Sequence, residues 1–183
     1  NEIFASNKNA GFLFALSVFV FAIKPTMIWL PLFILFYNLL ILKSNYKFLF
    51  AGTFVLLLFL FKNIWTFGFP IFPVQFIDFG LSWKPNAELL QNSSKMAIMK
   101  TYDMQYSYEE IQQFSKLECI KNWLFLDGLK SVIHLLLILS LVIFFVFAVV
   151  KKSTLIWILF ISILIKSVLV LLFSAQYRFF FDV

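Results

Sequence analysis

Long apolar runs separated by short polar breaks dominate the sequence. The first run extends over residues 10–42 and is interrupted by Lys24 and Pro25. A continuous helix of this length would reach about 50 Å, well beyond the roughly 30 Å hydrocarbon core of a bilayer, so we expect it to break. Pro25 removes a helical donor and restricts Lys24, which predicts two short spans over 10–23 and 27–42. One steeply tilted, kinked span is the alternative.

Three further apolar runs, over 48–61, 131–150 and 153–173, predict three more membrane helices. The first of them is short for a span, but Lys62 and Trp65 can extend it to the interface by snorkelling and by the interfacial preference of tryptophan. Only two lysines separate the last two runs. Such a short corner predicts an antiparallel helical hairpin.

Lysines in the short loops predict how the chain is oriented. Basic residues in short loops favour the cytoplasm, and these loops carry Lys43, Lys47, Lys151 and Lys152. The segment 66–129 and the tail from Ser174 then face the opposite side, the extracytoplasmic face of a bacterial inner membrane. This segment opens with a proline-rich turn over 67–73, where a regular helix is excluded.

Two helices are predicted in the segment 66–129. Ser107 and Glu110 form a capping box ahead of apolar residues at helical spacing, so an amphipathic helix is expected over 107–125. A second helix is expected over 86–100, with Asn86 as its N-cap. Both helices are expected either to lie on the bilayer or to cover a membrane-embedded cavity.

These elements predict an all-α fold, a polytopic transmembrane helical bundle of four or five spans. One outward-facing, partly helical loop of about 65 residues interrupts it. The expected division is 1–65 for spans one to three, 66–129 for the extracytoplasmic loop, and 130–183 for the transmembrane hairpin and an outer tail. The first residue is not Met and the end is abrupt. We therefore expect an excerpt whose partner is the remainder of a longer chain.

Composition and charge support a membrane protein and exclude a nucleic-acid partner. Hydrophobic residues make up 62% of the 183 residues and charged residues 13%, against about 45–50% and about 25% in an ordinary globular domain. Residues 62–130 hold seven lysines and seven acids, so the net charge of +6 comes from basic residues that mostly flank apolar runs. That distribution is typical of membrane topology and not of a nucleic-acid patch.

One histidine and one lysine lie within predicted spans. His134 could relay protons or bind a metal, but no second ligand is near it in sequence, and a structural helix contact is the alternative. Lys166 is a functional candidate because charges inside a membrane are costly, although its stem could also snorkel to the outer end. The single Cys119 excludes an intramolecular disulfide and a cysteine-based cluster. No metal site is predicted, and the cofactors are unknown.

Four further residues lie at the predicted outer surface. Asp78 could act as a catalytic base or metal ligand, while Trp83 and Lys84 could hold a sugar face and a phosphate. An interfacial anchor beside a solvated acid is the alternative reading of these three. Arg178, the only arginine, is a planar bidentate donor suited to a phosphate or carboxylate.

Short motifs along most of the chain together resemble one family of membrane enzymes. They are Lys24-Pro25-Thr26, Lys62-Asn63, the proline-rich turn from Gly68 to Pro73, Ser82-Trp83-Lys84-Pro85 and Arg178-Phe179. Their order and spacing resemble large bacterial polytopic proteins of the GT-C glycosyltransferase type. That resemblance implies enzymes that use polyprenyl-phosphate-linked sugars at the outer face of the membrane.

The resemblance also implies where the chemistry lies. A multi-span helical core would carry outward loops, and a catalytic acid would lie in the first outer loop, which this excerpt is expected to lack. Lys62, Trp83, Lys84 and Arg178 would lie near the donor phosphate or the acceptor. The hypothesis is a glycosyltransferase-like enzyme of cell-envelope polysaccharide or glycolipid assembly. A transporter, flippase or polymer-export protein, or a non-catalytic membrane scaffold, are the alternatives.

Overall fold

The computed structural model describes residues 9–71, 77, 79–173, 175–176 and 179. Within these residues the regular structure is entirely helical, as the apolar runs predict. The chain forms two compact units, one from the described residues of Asn1–Lys62 and Phe144–Lys166, the other from those of Asn63–Ile143 and Ser167–Asp182. Each unit is described separately below.

The first unit begins with two short helices separated by a sharp break. Helix α1, Ala10–Ile23, ends at Lys24, whose backbone is extended (φ −136°, ψ 94°). This is the conformation that a following proline imposes. A 3-10 turn, Pro25–Ile28, leads into α2, Trp29–Phe36, and a π-helical turn, Tyr37–Ile41, closes the stretch. The predicted break is therefore confirmed.

Helices α1 and α2 pack against each other instead of continuing as one rod. Phe14 and Val18 of α1 share a buried apolar cluster with Ile34 of α2. The alternative of a single kinked span is therefore wrong. The 14 residues of α1 extend about 21 Å at the helical rise, which is less than the roughly 30 Å of a bilayer core.

Helix α3, Phe48–Phe67, is a long apolar helix of 20 residues. It is longer than the apolar run over 48–61 because the backbone hydrogen bonding continues past Lys62, as the flanking residues predict. Near its start, a Cβ added at Gly52 would come within 2.2 Å of the Phe14 ring. The close approach of α1 to α3 therefore requires a glycine at this position.

The last two long helices form the predicted hairpin. Helix α7 is Leu129–Lys151 and helix α8 is Thr154–Phe173, both within about two residues of the apolar runs. Lys152 turns the corner in a left-handed conformation (φ 47°). Within the first unit, the Phe144 ring centroid lies 5.5 Å from that of Phe160. Contacts of this kind hold the two helices side by side.

Helices α3, α7 and α8 are long and apolar enough to cross a membrane. Each carries a stretch with few charges and high mean hydropathy, so water cannot solvate these surfaces favourably. The chain is thus an all-helical protein with three candidate membrane-spanning helices, and α1 and α2 are shorter apolar elements.

The second unit contains three shorter, more polar helices. Helix α4, Ala87–Thr101, begins as predicted at Asn86, whose side chain accepts a hydrogen bond from the Glu88 N–H over 2.9 Å. Helix α5, Tyr108–Gln113, and helix α6, Lys116–Leu124, follow it. The three helices lie between the end of α3 and the start of α7.

The prediction of one continuous helix over 107–125 is wrong. The chain is extended at Phe114 (ψ 132°) and Ser115 (ψ 160°), which separates α5 from α6. Two capping boxes explain the break. The predicted box at Ser107 starts α5, and a second one formed by Ser115 and Glu118 starts α6. A helix that restarts with its own box satisfies its first N–H groups locally, so the apolar spacing alone does not enforce continuity.

Candidate functional site

The end of helix α3 is a tightly built turn. Gly68 adopts a left-handed conformation (φ 80°), and its N–H donates to the Ile64 carbonyl over 2.8 Å. This is the arrangement that commonly ends a helix at a glycine. Asn63, which is buried, donates from Nδ2 to the Pro70 carbonyl over 3.0 Å. The proline-rich turn therefore begins with a fixed geometry.

The chain then returns to the end of α3 and places Trp83 against Trp65. Trp83 Nε1 donates to the Trp65 carbonyl over 2.8 Å, which satisfies one of the last carbonyls of the helix. The two indole ring centroids are 5.4 Å apart, and the planes are inclined by 51°. Both residues stay open to the surroundings, with 61% of Trp65 and 54% of Trp83 exposed.

Lys84 completes this structure, which we call the tryptophan turn (Asn63, Trp65, Gly68, Phe69, Trp83 and Lys84). A Cβ added at Gly68 would come within 3.1 Å of the Lys84 Cβ, so the lysine stem crosses directly over the glycine. Lys84 Nζ lies 5.9 Å from the Phe69 ring centroid, within range of a cation–π interaction. The lysine is therefore held in the turn by its stem and by its ammonium group.

The tryptophan turn offers one particular chemistry. Two exposed indoles present flat apolar faces, on which the C–H face of a sugar ring can pack while the polar edges stay wet. The C-terminal end of α3 carries partial negative charge, which favours the nearby Lys84 ammonium and disfavours a phosphate seated directly on the helix end. The geometry therefore fits a neutral sugar ring better than a phosphate at this point.

The structure groups some of the predicted site residues. Trp83 and Lys84 lie together, as their adjacency in the sequence requires, and they are joined by Trp65, which the sequence indicated only as an interfacial flank. Lys62 is an exposed residue of α3. Asp78 and Arg178 lie outside the described residues.

A third tryptophan, Trp123, forms a buried cluster in the same unit. The Trp123 ring stacks on the His134 ring with centroids 4.1 Å apart and planes inclined by 18°. His134 Nδ1 is 2.7 Å from the Trp123 carbonyl, and Trp123 Nε1 donates to the Ala175 carbonyl over 2.8 Å. Both side chains are buried. His134 therefore has the geometry of a helix contact that joins α6 to α7.

Aromatic residues extend this cluster through the polar helices. Tyr102, Tyr106 and Phe114 meet in edge-to-face contacts with centroids 5.1 to 6.0 Å apart. Burial raises the pKa of the Tyr102 phenol, and a hydrogen bond with Cys119 raises it further. The phenol is thus kept neutral and can hydrogen-bond within the core. This contact also gives Cys119 a packing role.

Helix α8 carries buried polar residues inside the candidate span. Lys166 and Ser162 are fully buried, and Ser162 Oγ donates to the Ile158 carbonyl over 2.8 Å. The two residues are one turn apart and share a helix face. The alternative that the Lys166 stem snorkels to the outer end does not fit this burial, because its side chain is covered. Among the described residues, no three His, Cys, Asp or Glu side chains come together to hold a metal ion.

One comparison with known proteins gives a match. The model of a family described as "Domain of unknown function (DUF8201)" matches residues 1–183. No curated protein and no solved structure matches the chain.

Proposed function

The chain belongs to the DUF8201 family, and from its membrane helices and its tryptophan turn we propose that it is part of a glycosyltransferase-like membrane enzyme. Its donor would be a lipid-linked sugar of the polyprenyl-phosphate type, and its product a cell-envelope polysaccharide or glycolipid. The reaction would occur at the extracytoplasmic face of a bacterial inner membrane, in a protein of four or five spans.

The exposed Trp65–Trp83 pair is the observation that carries this proposal. The pair lies at the end of a candidate span, where the headgroup of a membrane lipid is within reach. A hydrogen bond and a glycine contact hold Trp83 and Lys84, so little conformational entropy would be lost on binding. A sugar attached to a lipid phosphate would thus meet two preformed apolar faces beside the membrane.

In the proposed reaction, the anomeric carbon of the donor sugar moves from a phosphate oxygen to an acceptor hydroxyl oxygen. The bond to the phosphate breaks, polyprenyl phosphate leaves with the electron pair, and a carboxylate takes the proton of the acceptor. Asp78 is a candidate for that carboxylate. By the resemblance, Arg178, Lys62 and Lys84 are candidates for contact with the phosphate, and Arg178 offers a bidentate donor.

Donor binding tests the role of the indole pair. The full chain is reconstituted in vesicles and titrated with a polyprenyl-phosphate-linked sugar, with polyprenyl phosphate alone and with free sugar, while tryptophan fluorescence is recorded. We expect the linked sugar to bind tightest and Trp83→Ala to weaken it about tenfold, or about 1.4 kcal/mol. Ile71→Ala changes an exposed apolar residue of the neighbouring proline-rich turn and should leave the affinity unchanged. Equal affinity for donor and polyprenyl phosphate would contradict the proposal.

Catalysis needs a separate test. Arg178→Ala in the full-length protein should abolish sugar transfer in a membrane assay, because the phosphate would lose its bidentate partner. Undiminished transfer by this variant would rule out the proposed phosphate role of Arg178.

Transport is the second candidate function, because α8 buries Lys166 and Ser162 inside a candidate span. Buried ionisable residues at membrane depth often mark a substrate pathway. A flippase assay separates the two functions. Under transport, Lys166→Met stops movement of a labelled lipid-linked sugar across vesicles and Trp83→Ala does not; under sugar transfer, Trp83→Ala lowers transfer and no movement of the lipid occurs.

A further inference from the structure

Helix α6 exposes apolar side chains that its own unit leaves uncovered. Leu117 is 80% exposed, Ile120 is 61% exposed, and Phe125, directly after the helix, is 63% exposed. Leu117 and Ile120 are three residues apart, so they lie on one face of the helix. The side of the helix that carries Cys119 and Trp123, four residues apart, is occupied, because Trp123 is buried against His134 and Cys119 forms a hydrogen bond with Tyr102. One face of α6 is therefore committed to the core and the other is not.

The contacts of Trp123 fix the depth of α6 relative to helix α7. The Trp123 carbonyl is 2.7 Å from His134 Nδ1. His134 lies five residues after Leu129, the first residue of α7, which is about 7.5 Å along the axis at the helical rise. The last turn of α6 is therefore level with the second turn of a candidate membrane span.

Two other contacts indicate the same depth for the last turn of α6. Trp123 Nε1 donates to the carbonyl of Ala175, just beyond the end of α8, the other candidate span at this level. An ion pair between Lys130, in the first turn of α7, and Asp103 indicates where the aqueous side begins. The last turn of α6 thus lies beside the ends of two candidate membrane helices, further along α7 than the Lys130–Asp103 ion pair.

Helix α7, which follows α6 in the chain, also exposes apolar side chains. Val132 and Leu136, beyond Lys130, are exposed apolar residues of the candidate span. In a bilayer those α7 residues contact lipid, because no other solvent there accepts such a surface. Since the last turn of α6 is level with the second turn of α7, lipid beside α7 would also reach the exposed face of that turn.

Charged residues flank the exposed face in the order that an interface favours. At about 100° per residue, Lys116 and Lys121 lie on either side of Leu117 and Ile120. Lysine stems of this kind can lie along the apolar boundary while their ammonium groups reach lipid phosphates. Glu118 is engaged elsewhere, since its carboxylate accepts the Ser115 N–H over 2.7 Å.

We propose that α6 is an in-plane membrane anchor, with Leu117, Ile120 and Phe125 inserted among the lipid headgroups and the upper acyl chains. The partner is the lipid bilayer itself, and Lys116 and Lys121 favour anionic phospholipids. A helix in this position typically buries its apolar face about 5–10 Å into the boundary region, which agrees with the level of His134. The proposal is independent of sugar transfer.

Site-specific quenching tests this anchor. A polarity-sensitive fluorophore is attached at Leu117→Cys in a Cys119→Ser background, in vesicles of phosphatidylcholine and phosphatidylglycerol. A lipid with a nitroxide near the headgroup should quench it at least about threefold more than aqueous iodide does, because an interfacial helix lies among the lipids. Gln112→Cys, an exposed polar position on α5, is the matched control and should show the reverse order.

Two outcomes would overturn the proposal. Equal iodide quenching at positions 117 and 112 would place α6 in water, and protection from both quenchers would show that protein covers the face. If the labelled variants do not fold, the unmodified chain in vesicles carrying a photoactivatable lipid answers the question. Cross-links in the peptide over 116–125 support the anchor, and cross-links confined to α7 and α8 contradict it.

Discussion

Trp83 and Trp123 make the same kind of hydrogen bond, but Trp83 is exposed and Trp123 is buried. Each indole N–H donates to a backbone carbonyl over 2.8 Å, Trp65 in one case and Ala175 in the other. Trp83 keeps more than half of its surface exposed, whereas Trp123 is buried against His134. The hydrogen bond fixes where an indole lies, and burial decides whether its faces remain available. Of these two described sites, the tryptophan turn is the one that can offer indole faces to a ligand.

Removing the buried indole should have the largest effect. Trp123→Ala takes away an aromatic core side chain, the His134 stack and the bond to Ala175, which costs about 3–5 kcal/mol of unfolding free energy. The segment between α4 and α6 should then become sensitive to protease in vesicles. Trp83→Ala serves as the comparison and should remain resistant. Equal resistance of the two variants would break the distinction between the sites.

Two variants of His134 separate the contribution of ring stacking to stability from that of the hydrogen bond. His134→Phe keeps an aromatic ring against Trp123 but removes the bond to the Trp123 carbonyl, so we expect a loss of about 1–3 kcal/mol. His134→Ala removes both contributions and should lose more. The difference between the two variants is measured by thermal unfolding in detergent, and identical melting temperatures would show that the stack contributes nothing.

The exposed pair can be divided in the same way. Trp83→Ala removes the indole donor and should cost about 1 kcal/mol, the usual worth of one hydrogen bond. Trp65→Ala removes only a ring, because the acceptor is its backbone carbonyl and stays in place. We therefore expect both variants to lose affinity for a lipid-linked sugar, and only Trp83→Ala to lose stability. A stability loss confined to Trp65→Ala would contradict this account.

Lowering the pH should weaken the capping boxes of α5 and α6, which lie next to the buried Trp123 cluster. This is the smallest expected effect. Hydrogen bonds from the Ser115 side chain and N–H lower the pKa of Glu118, and those from the Ser107 N–H and side chain lower the pKa of Glu110. A lowered folded-state pKa stabilises the fold above the ordinary glutamate pKa, and that contribution disappears as the pH falls through the folded-state pKa. Circular dichroism should show reduced helix in that acid range.

A matched variant checks the acid effect. Ser115→Ala removes the hydroxyl donor that lowers the Glu118 pKa and keeps the N–H donor, so the acid transition of α6 should shift part of the way towards the ordinary glutamate range. The same substitution should lower the free energy of unfolding by about 1 kcal/mol at neutral pH, as the loss of an N-cap side chain usually does. An unchanged transition would show that the box does not hold α6.

The sequence predicts the elements whose signal is local. The apolar runs place α7 and α8 almost to the residue, Lys24 and Pro25 mark the break after α1, and Asn86 marks the start of α4. The division of the helix expected over 107–125 was missed, although Ser115 and Glu118 carry the same capping spacing as Ser107 and Glu110. Helical periodicity alone indicated continuity, and the second box overrides it.

The contacts that build the two tryptophan sites have no local signal. Trp83 and Trp65 are 18 residues apart, and Trp123 and Ala175 are 52 apart. Neither periodicity nor capping relates such distant positions, so Trp65 could be named only as an interfacial flank. The stack of Trp123 on His134 joins α6 to α7 across a turn, and no spacing in the sequence indicates this contact either.

The corner at Lys152 has a consequence for biosynthesis. Helix α8 has 20 residues and follows α7 almost at once, so its synthesis ends about 1–4 s after that of α7 at about 5–20 residues per second. Only 11% of the apolar window of α7 is buried in the folded chain, against 39% for α8, so α7 depends less than α8 on contacts with the rest of the protein. Helix α8, which carries Lys166 and Ser162, is synthesised second, after the helix that packs beside it.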